Sequence, residues 1–352
     1  MVENIGIRHL IYENMNMPKI NEWASAILDP LVLFLNEGVK IEGGVSLNWE
    51  SKREFNAYAS ERSGGGKVIG FTYDVAKEIC VDADHLFCIL KTPWGRPITS
   101  IGVHRETLAE LRPSKKFPYE KAKKMVSELA ITWIFFHEAG HLIEHHESFK
   151  INMPRIKIVG DETVLPEIDG EEGLGKNSRA SWISHALEIS ADYQATRFIF
   201  RKLAASGCIS EFQIWSLAVG VCNLFYRFGS DGENEVFAYA NGSHPSPVVR
   251  FYFFYTNIKH MVMDPAYKGK VLFCQNETRL DEILLNALNT ASSYHNLRGG
   301  SGPIPKMTLA IFDGGEFYSY LSTLKKVWSG IRPEIEKNIE RGAPTSPMSF
   351  GE

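Results

Sequence analysis

Residues 129–141 read LAITWIFFHEAGH, an apolar run that ends in two histidines and a glutamate. Apolar residues recur at a spacing close to 3.6 at Ala122, Val126, Leu129, Trp133 and Phe136. This period predicts a helix from about Pro118 to Glu147. Because residues 129–136 are apolar on almost every side, we expect the helix to lie at the centre of the fold.

The polar end of this run has the spacing of a metal site. His137 and His141 are four residues apart, so both imidazoles project from one face of a helix. Neutral imidazole is a common zinc ligand, with a Zn–N distance of ~2.0 Å. Glu138 follows the first histidine, where a carboxylate can act as a general base on water near the metal. These residues are costly in an apolar helix without partners, and we predict one zinc ion per chain.

A catalytic zinc ion usually has three protein ligands, so one more is required. A second long helix is predicted at about residues 181–205, and it carries His185, Glu188 and Asp192. The two carboxylates share a helix face, which predicts Glu188 as the metal ligand and Asp192 as the acceptor for the outer ring nitrogen of His137. His185 lies one turn before Glu188 and is the alternative ligand.

The two helices together resemble those of the gluzincin peptidases, in which His-Glu-x-x-His precedes a helix with Glu-x-x-x-Asp. The stretch EISADYQA at 188–195 looks like the Glu-x-x-Ala-Asp-x-x-Ala signature of the HtpX and CAAX-prenyl protease family. Ser243-His244-Pro245, followed by Arg250, is similar to a third element of that family. The resemblance covers about residues 120–255 and implies a zinc-dependent peptidase.

The same resemblance implies roles for further residues, and it does not decide between several peptidase families. It implies that His244 stabilises the oxyanion and that Arg250 supports the Asp192 region or the substrate. It also implies an edge strand that pairs with an extended substrate, for which Asp84–Leu90 and Ile98–Arg105 are the candidates. Lit-like phage-exclusion peptidases and ImmA-like peptidases share the short zinc motif and remain possible relatives.

The predicted fold class is α+β, zincin-like and mostly helical, with a small N-terminal mixed sheet packed on the helix of the zinc motif. Two short apolar runs are predicted as buried strands, Pro30–Leu35 and Asp84–Leu90, and Gly64–Gly66 as a loop. Further helices are predicted at about 211–228, 248–263, 278–293 and 316–341. His145 and His146 are expected at the helix end, where cationic groups suit the helix dipole.

The chain divides into four predicted parts. Residues 1–115 form an α/β part with the edge strand, 116–265 the zinc-binding core, 266–341 the C-terminal helices and 342–352 a flexible tail. Within the core, the acidic, glycine-rich residues 150–180 are longer than an ordinary loop. They are predicted to form either a mobile flap near the site or a disordered insertion.

Composition limits the possible partners. The 352 residues carry a formal net charge of −4 with only short basic runs, which argues against nucleic acid as a partner. Five widely spaced cysteines, no secretory signal and no stretch long enough for a membrane span predict a cytoplasmic protein without stable membrane insertion. We expect a protein or peptide substrate. A toxin-type or regulatory peptidase specific for one partner protein and a non-catalytic zinc module are the alternatives, and the oligomeric state is not predicted.

Overall fold

The computed structural model describes residues 17–91, 119–152, 178–228, 243–267, 269–271, 277–298 and 315–339. Its N-terminal part begins with helix α1 (Met17–Phe34), which continues into a π-helical turn, Leu35–Val39. Three strands and a helix follow, namely β1 (Val45–Glu50), β2 (Ala57–Glu61), β3 (Lys67–Thr72) and α2 (Tyr73–Lys91).

The three strands form the small mixed sheet that the sequence predicts. The strand order is β1-β3-β2, with β1 parallel and β2 antiparallel to the central β3. All six residues of β3 are buried, which suits its run of Val68, Ile69 and Phe71. β2 and β3 form a hairpin whose turn contains Gly65 at φ +81°, a backbone conformation that favours glycine. The predicted loop at Gly64–Gly66 is therefore confirmed.

The described residues after α2 are mainly helical. Their helices are α3 (Tyr119–Ile143), α4 (His146–Asn152), α5 (Arg179–Ala205), α6 (Glu211–Phe228), α7 (Pro247–Met263), α8 (Glu277–Leu297) and α9 (Glu316–Asn338). The long helices match their predicted positions within a few residues. The predicted helix at 118–147 instead ends at Ile143, and the short helix α4 begins after a turn at Glu144 and His145. None of the described helices is long and apolar enough to cross a membrane.

Helix α5 lies between two apolar clusters. The larger cluster joins α1, the sheet, α2, α3, α6, α7, α8 and the second half of α5. The smaller one joins α9 to the first half of α5 and to parts of α4 and α7. Because α5 is covered on several sides, its polar residues Glu188 and Asp192 are buried, with 3% and 0% exposure. Buried charges of this kind need specific partners.

Both predicted N-terminal strands are wrong. Pro30–Leu35 lies in α1 and the start of its π-helical continuation, and Asp84–Leu90 lies in α2. Short apolar runs do not distinguish a strand from a buried helix segment. In α2 the residues Val75, Ile79 and Leu86 are buried at helical spacing, and they pack in the larger cluster. The other edge-strand candidate, Ile98–Arg105, most of the acidic segment (residues 153–177) and the tail lie outside the described residues.

Gly140 tests how tightly α3 and α5 pack. A Cβ atom there would lie 3.1 Å from Ala191 Cα and 3.2 Å from Gln194 Cβ. We expect Gly140→Ala to lower the free energy of unfolding by about 0.5–2 kcal/mol. The nearest atoms belong to the Ala191 backbone, so two packed helices must separate slightly, and this cost exceeds the ~0.5–1 kcal/mol that alanine gains over glycine within a helix. Gly64→Ala is the matched control, since no atom lies within 4 Å of its added Cβ. Urea unfolding of both variants measures the difference, and equal stabilities would contradict this packing.

Candidate metal centre

Three side chains from two helices converge in the core, as the sequence predicts. Residues His137 and His141 on α3 and Glu188 on α5 form the group that could hold a metal ion among the described residues, with ligand atoms all within 4.8 Å of one another. The two histidine Nε2 atoms are 3.1 Å apart. One oxygen of Glu188 lies 3.4 Å from His137 Nε2, and the other lies 3.5 Å from His141 Nε2.

These distances fit a zinc ion. Zinc bonds of about 2.0–2.2 Å in tetrahedral geometry place neighbouring ligand atoms about 3.4 Å apart. The Glu188 Oε2 atom is buried and has no hydrogen-bond donor among the described residues, although two imidazole nitrogens face it. A buried carboxylate oxygen without a donor is costly, and a cation between the three side chains would satisfy it. The donor set of two imidazoles and one carboxylate is also that of catalytic zinc sites.

A buried ion pair supports the first histidine. His137 Nδ1 lies 2.8 Å from Asp192 Oδ1, which is the contact predicted from the sequence. Arg250 on α7 binds both oxygens of Asp192, at 2.9 and 2.6 Å. The guanidinium also lies over the ring of Phe225, 4.6 Å from its centroid. Asp192 is thus neutralised by Arg250 while it orients His137.

A stacked tryptophan also limits the motion of the His137 ring. Trp133, one turn earlier on α3, stacks on the imidazole with ring centroids 5.4 Å apart and an interplanar angle of 19°. The indole nitrogen of Trp133 donates to Thr196 Oγ1 at 3.4 Å. The imidazole is therefore held by stacking on one face and by Asp192 at its edge. Such a ligand is preorganised for binding.

Burial and neighbouring charges shift the pKa values of His137 and His141 in opposite directions. Burial disfavours protonated His137, but contacts with Asp192 and Glu188 outweigh it and raise its pKa to about 9. Burial lowers the pKa of His141 well below its usual value, with only partial opposition from Glu188. Burial acts against ionised Glu188 as well, yet His141, His244 and His137 hold its pKa well below the ordinary range. Without metal, His137 is therefore the histidine of the pair that carries an extra proton near neutral pH.

Glu138 and His244 complete the site from the motif and from the loop before α7. Glu138 is only 7% exposed, and burial raises its pKa to about 7. His244 Nε2 lies 3.5 Å from Glu188 Oε2, while 48% of its side chain is exposed. Its Nδ1 lies 2.8 Å from Ser243 Oγ. His244 is therefore a partly accessible imidazole at the edge of the metal group.

His185, the alternative ligand, is directed elsewhere. Its Nδ1 lies 2.6 Å from the hydroxyl of Tyr320 on α9, and both side chains are buried. His185 and Glu188 are three positions apart on α5, yet His185 faces the smaller apolar cluster around Trp182 and Tyr320. The described metal group does not include it. Spacing in sequence alone could not separate the two candidates, because both positions fall within one turn.

His146 and Glu144 are site residues that spacing did not identify. His146 Nδ1 lies 2.7 Å from His141 Nδ1, and His146 Nε2 lies 2.8 Å from Glu144 Oε2. His146 follows His141 by five residues, which is not a helical contact spacing. The contact depends on the turn that ends α3, and no sequence periodicity marks that turn.

Comparison of the chain with protein-family models, with curated proteins and with solved structures gives no significant match.

Substitution can separate the two candidate ligands, Glu188 and His185. We expect Glu188→Gln to lose stoichiometric zinc, because a neutral amide replaces the only carboxylate in the described group. His185→Gln, three residues earlier, should keep about one zinc ion per chain. Elemental analysis of the purified variants measures this. Full zinc content in Glu188→Gln, or its loss in His185→Gln, would reverse the ligand assignment.

The zinc affinity of the site should depend on pH. Metal must displace the proton on His137, whose pKa is raised to about 9. Zinc affinity should therefore rise about tenfold per pH unit between about 6 and 8 and level off above 9, because the proton competes less as pH increases. Calorimetric titration in buffers of different ionisation enthalpy should show about one proton released per zinc near pH 7. A pH-independent affinity over this range would contradict the shift.

Proposed function

We propose that this chain is a zinc-dependent endopeptidase of the gluzincin type. The observation that carries the proposal is the convergence of His137, His141 and Glu188 beside a buried Glu138 whose pKa is raised to about 7. A general base works best when its pKa lies close to the operating pH. Zinc in such a site would act as a Lewis acid on a carbonyl oxygen and lower the pKa of water to about 7.

Glu138 would move the protons of the reaction. It would take one from the attacking water and deliver it to the leaving amine, so it must cycle between two protonation states. Burial brings these states close in free energy near neutral pH. His244, which has 48% of its side chain exposed and lies near Glu188, would donate a hydrogen bond to the developing oxyanion. Arg250 would act indirectly through Asp192 and His137.

The edge strand β2 is the best-placed substrate contact among the described residues. Hydrogen bonds from Thr72 N to Asn56 O and from Arg62 N to Gly66 O show which peptide groups face β3. In an antiparallel ladder the alternate residues, here Ala57 and Ala59, direct their N–H and C=O groups to the free edge. β2 also packs on α3, the helix of the zinc motif. An extended peptide could pair with this edge.

The end of β2 contacts the turn and the short helix α4 that follow the zinc-motif helix α3. Glu147 on α4 accepts a hydrogen bond from the amide of Glu61 at 3.1 Å, and His145 Nδ1 lies 3.3 Å from Glu61 Oε1. These contacts hold the strand in register with the turn that follows α3. The proposed substrate edge and the metal group therefore belong to one connected structure. A protein or peptide substrate is part of this proposal.

The decisive variant is Glu138→Gln. It should keep zinc at wild-type stoichiometry, because Glu138 is not a ligand, and reduce cleavage by about 10²–10⁴-fold through loss of the proton shuttle. Glu128→Gln is the matched control, since it removes a half-exposed carboxylate from the same helix. Quantitative comparison of cellular protein N-termini after expression of each form measures cleavage and identifies the substrate.

New protein N-termini that appear with wild type and Glu128→Gln but not with Glu138→Gln would support the proposed peptidase activity. One new terminus in a single protein would favour a dedicated effector, and many would favour a broader endopeptidase. Identical termini for all three zinc-loaded proteins would leave only a non-catalytic zinc module.

A further inference from the structure

The turn after α3 brings a second histidine against a metal ligand. Helix α3 ends at Ile143, His145 adopts the left-handed conformation at φ 52°, and α4 begins at His146. The His145 carbonyl accepts a hydrogen bond from Phe149 N at 2.9 Å, so the next helix begins at once. His146 lies beside His141, with the two Nδ1 atoms 2.7 Å apart. His141 Nε2 is on the opposite side of its ring, facing the metal group.

A buried carboxylate ends this line of contacts. Glu144 is 1% exposed, and its Oε2 atom lies 2.8 Å from His146 Nε2. The Ser190 hydroxyl donates to the same oxygen at 2.5 Å, and the Gln194 amide donates to Oε1 at 2.7 Å. Ser190 and Gln194 lie on α5, the helix that supplies Glu188. The line His141–His146–Glu144 thus connects the metal group to both long helices.

The donors around Glu144 determine where the protons lie. Ser190 and Gln194 both donate, so the carboxylate acts as the acceptor and His146 must present an N–H at Nε2. A neutral imidazole with hydrogen at Nε2 has a lone pair at Nδ1. His141 must then donate its Nδ1–H to that lone pair. The free lone pair of His141 is therefore at Nε2, the atom that faces His137 and Glu188.

We propose that His146 and Glu144 are positioning residues that prepare His141 for metal binding. They select the tautomer with a lone pair at Nε2, fix the ring and make that nitrogen more basic by accepting a hydrogen bond from Nδ1. The two ligand histidines are supported differently. Asp192 behind His137 is paired with Arg250, whereas the hydrogen bonds of Glu144 come from Ser190, Gln194 and His146, with no arginine or lysine among these partners.

Substitutions at His146 test the proposal through metal affinity. His146→Leu should weaken zinc binding by about 10–100-fold, the usual effect of losing a partner of a ligand histidine. His146→Gln should restore affinity to within a few-fold of wild type, because its amide can accept from His141 and donate to Glu144. His145→Asn is the matched control, since this neighbour faces Glu61 instead and asparagine tolerates the left-handed conformation. Competition with a chelator measures the zinc affinity of the three variants and of the wild type.

Histidine nitrogen chemical shifts provide a readout that a purely structural role would not affect. In metal-free wild type labelled with ¹⁵N-histidine, we expect His141 to carry its proton at Nδ1 and His146 at Nε2. In His146→Leu, His141 should become a mixture of tautomers. A proton fixed at Nε2 of His141, or a doubly protonated His146, would overturn the proposed donor order even if His146→Leu failed to fold.

The affinity outcomes are equally decisive. Wild-type affinity in a folded His146→Leu protein would refute the positioning role. Failure of a folded His146→Gln protein to recover affinity would refute the hydrogen-bond order. This inference rests on metal binding at the proposed site but not on peptide hydrolysis. A protein that binds zinc as expected and shows no Glu138-dependent cleavage would therefore refute the proposed function alone.

Discussion

The close packing of α3 against α5 is the constraint on which the site depends. Gly140 lies between the two histidine ligands, and its backbone approaches Ala191, which lies between Glu188 and Asp192 on α5. Small residues at this crossing let the backbones approach closely enough for short side chains to meet. Imidazole and carboxylate groups then come within 3.5 Å of each other in a site that solvent barely reaches. A larger residue at the crossing would separate ligands that belong to different helices.

Burying so many ionisable groups requires local compensation, and each carboxylate is compensated differently. Arg250 neutralises Asp192 through two hydrogen bonds. Glu144 receives hydrogen bonds from a serine, a glutamine and a histidine. Glu188 faces imidazoles and keeps one buried oxygen without a donor. Of these three carboxylates, Glu188 is the one with a buried oxygen that no donor reaches, which is the physical reason to expect a cation there.

The smaller apolar cluster has a role in this arrangement. It packs α9 on the first half of α5 and takes His185 to Tyr320, away from the metal group. Helix α9 therefore covers the first half of α5 and contacts His185, although it supplies no residue to the described metal group.

Helical periodicity and ligand chemistry in the sequence were enough to predict the long helices from α3 onward, the convergence of His137, His141 and Glu188, and the contact of Asp192 with His137. These features depend on residues three or four apart on one helix face, a spacing that sequence displays directly. The sequence could not distinguish strand from helix at Pro30–Leu35 and Asp84–Leu90, because short apolar runs suit both. Only the tertiary structure paired His185 with Tyr320 and placed His146 and Glu144 behind His141. Those contacts follow from the packing of α9 and from one left-handed residue, and neither produces a periodic pattern in the chain.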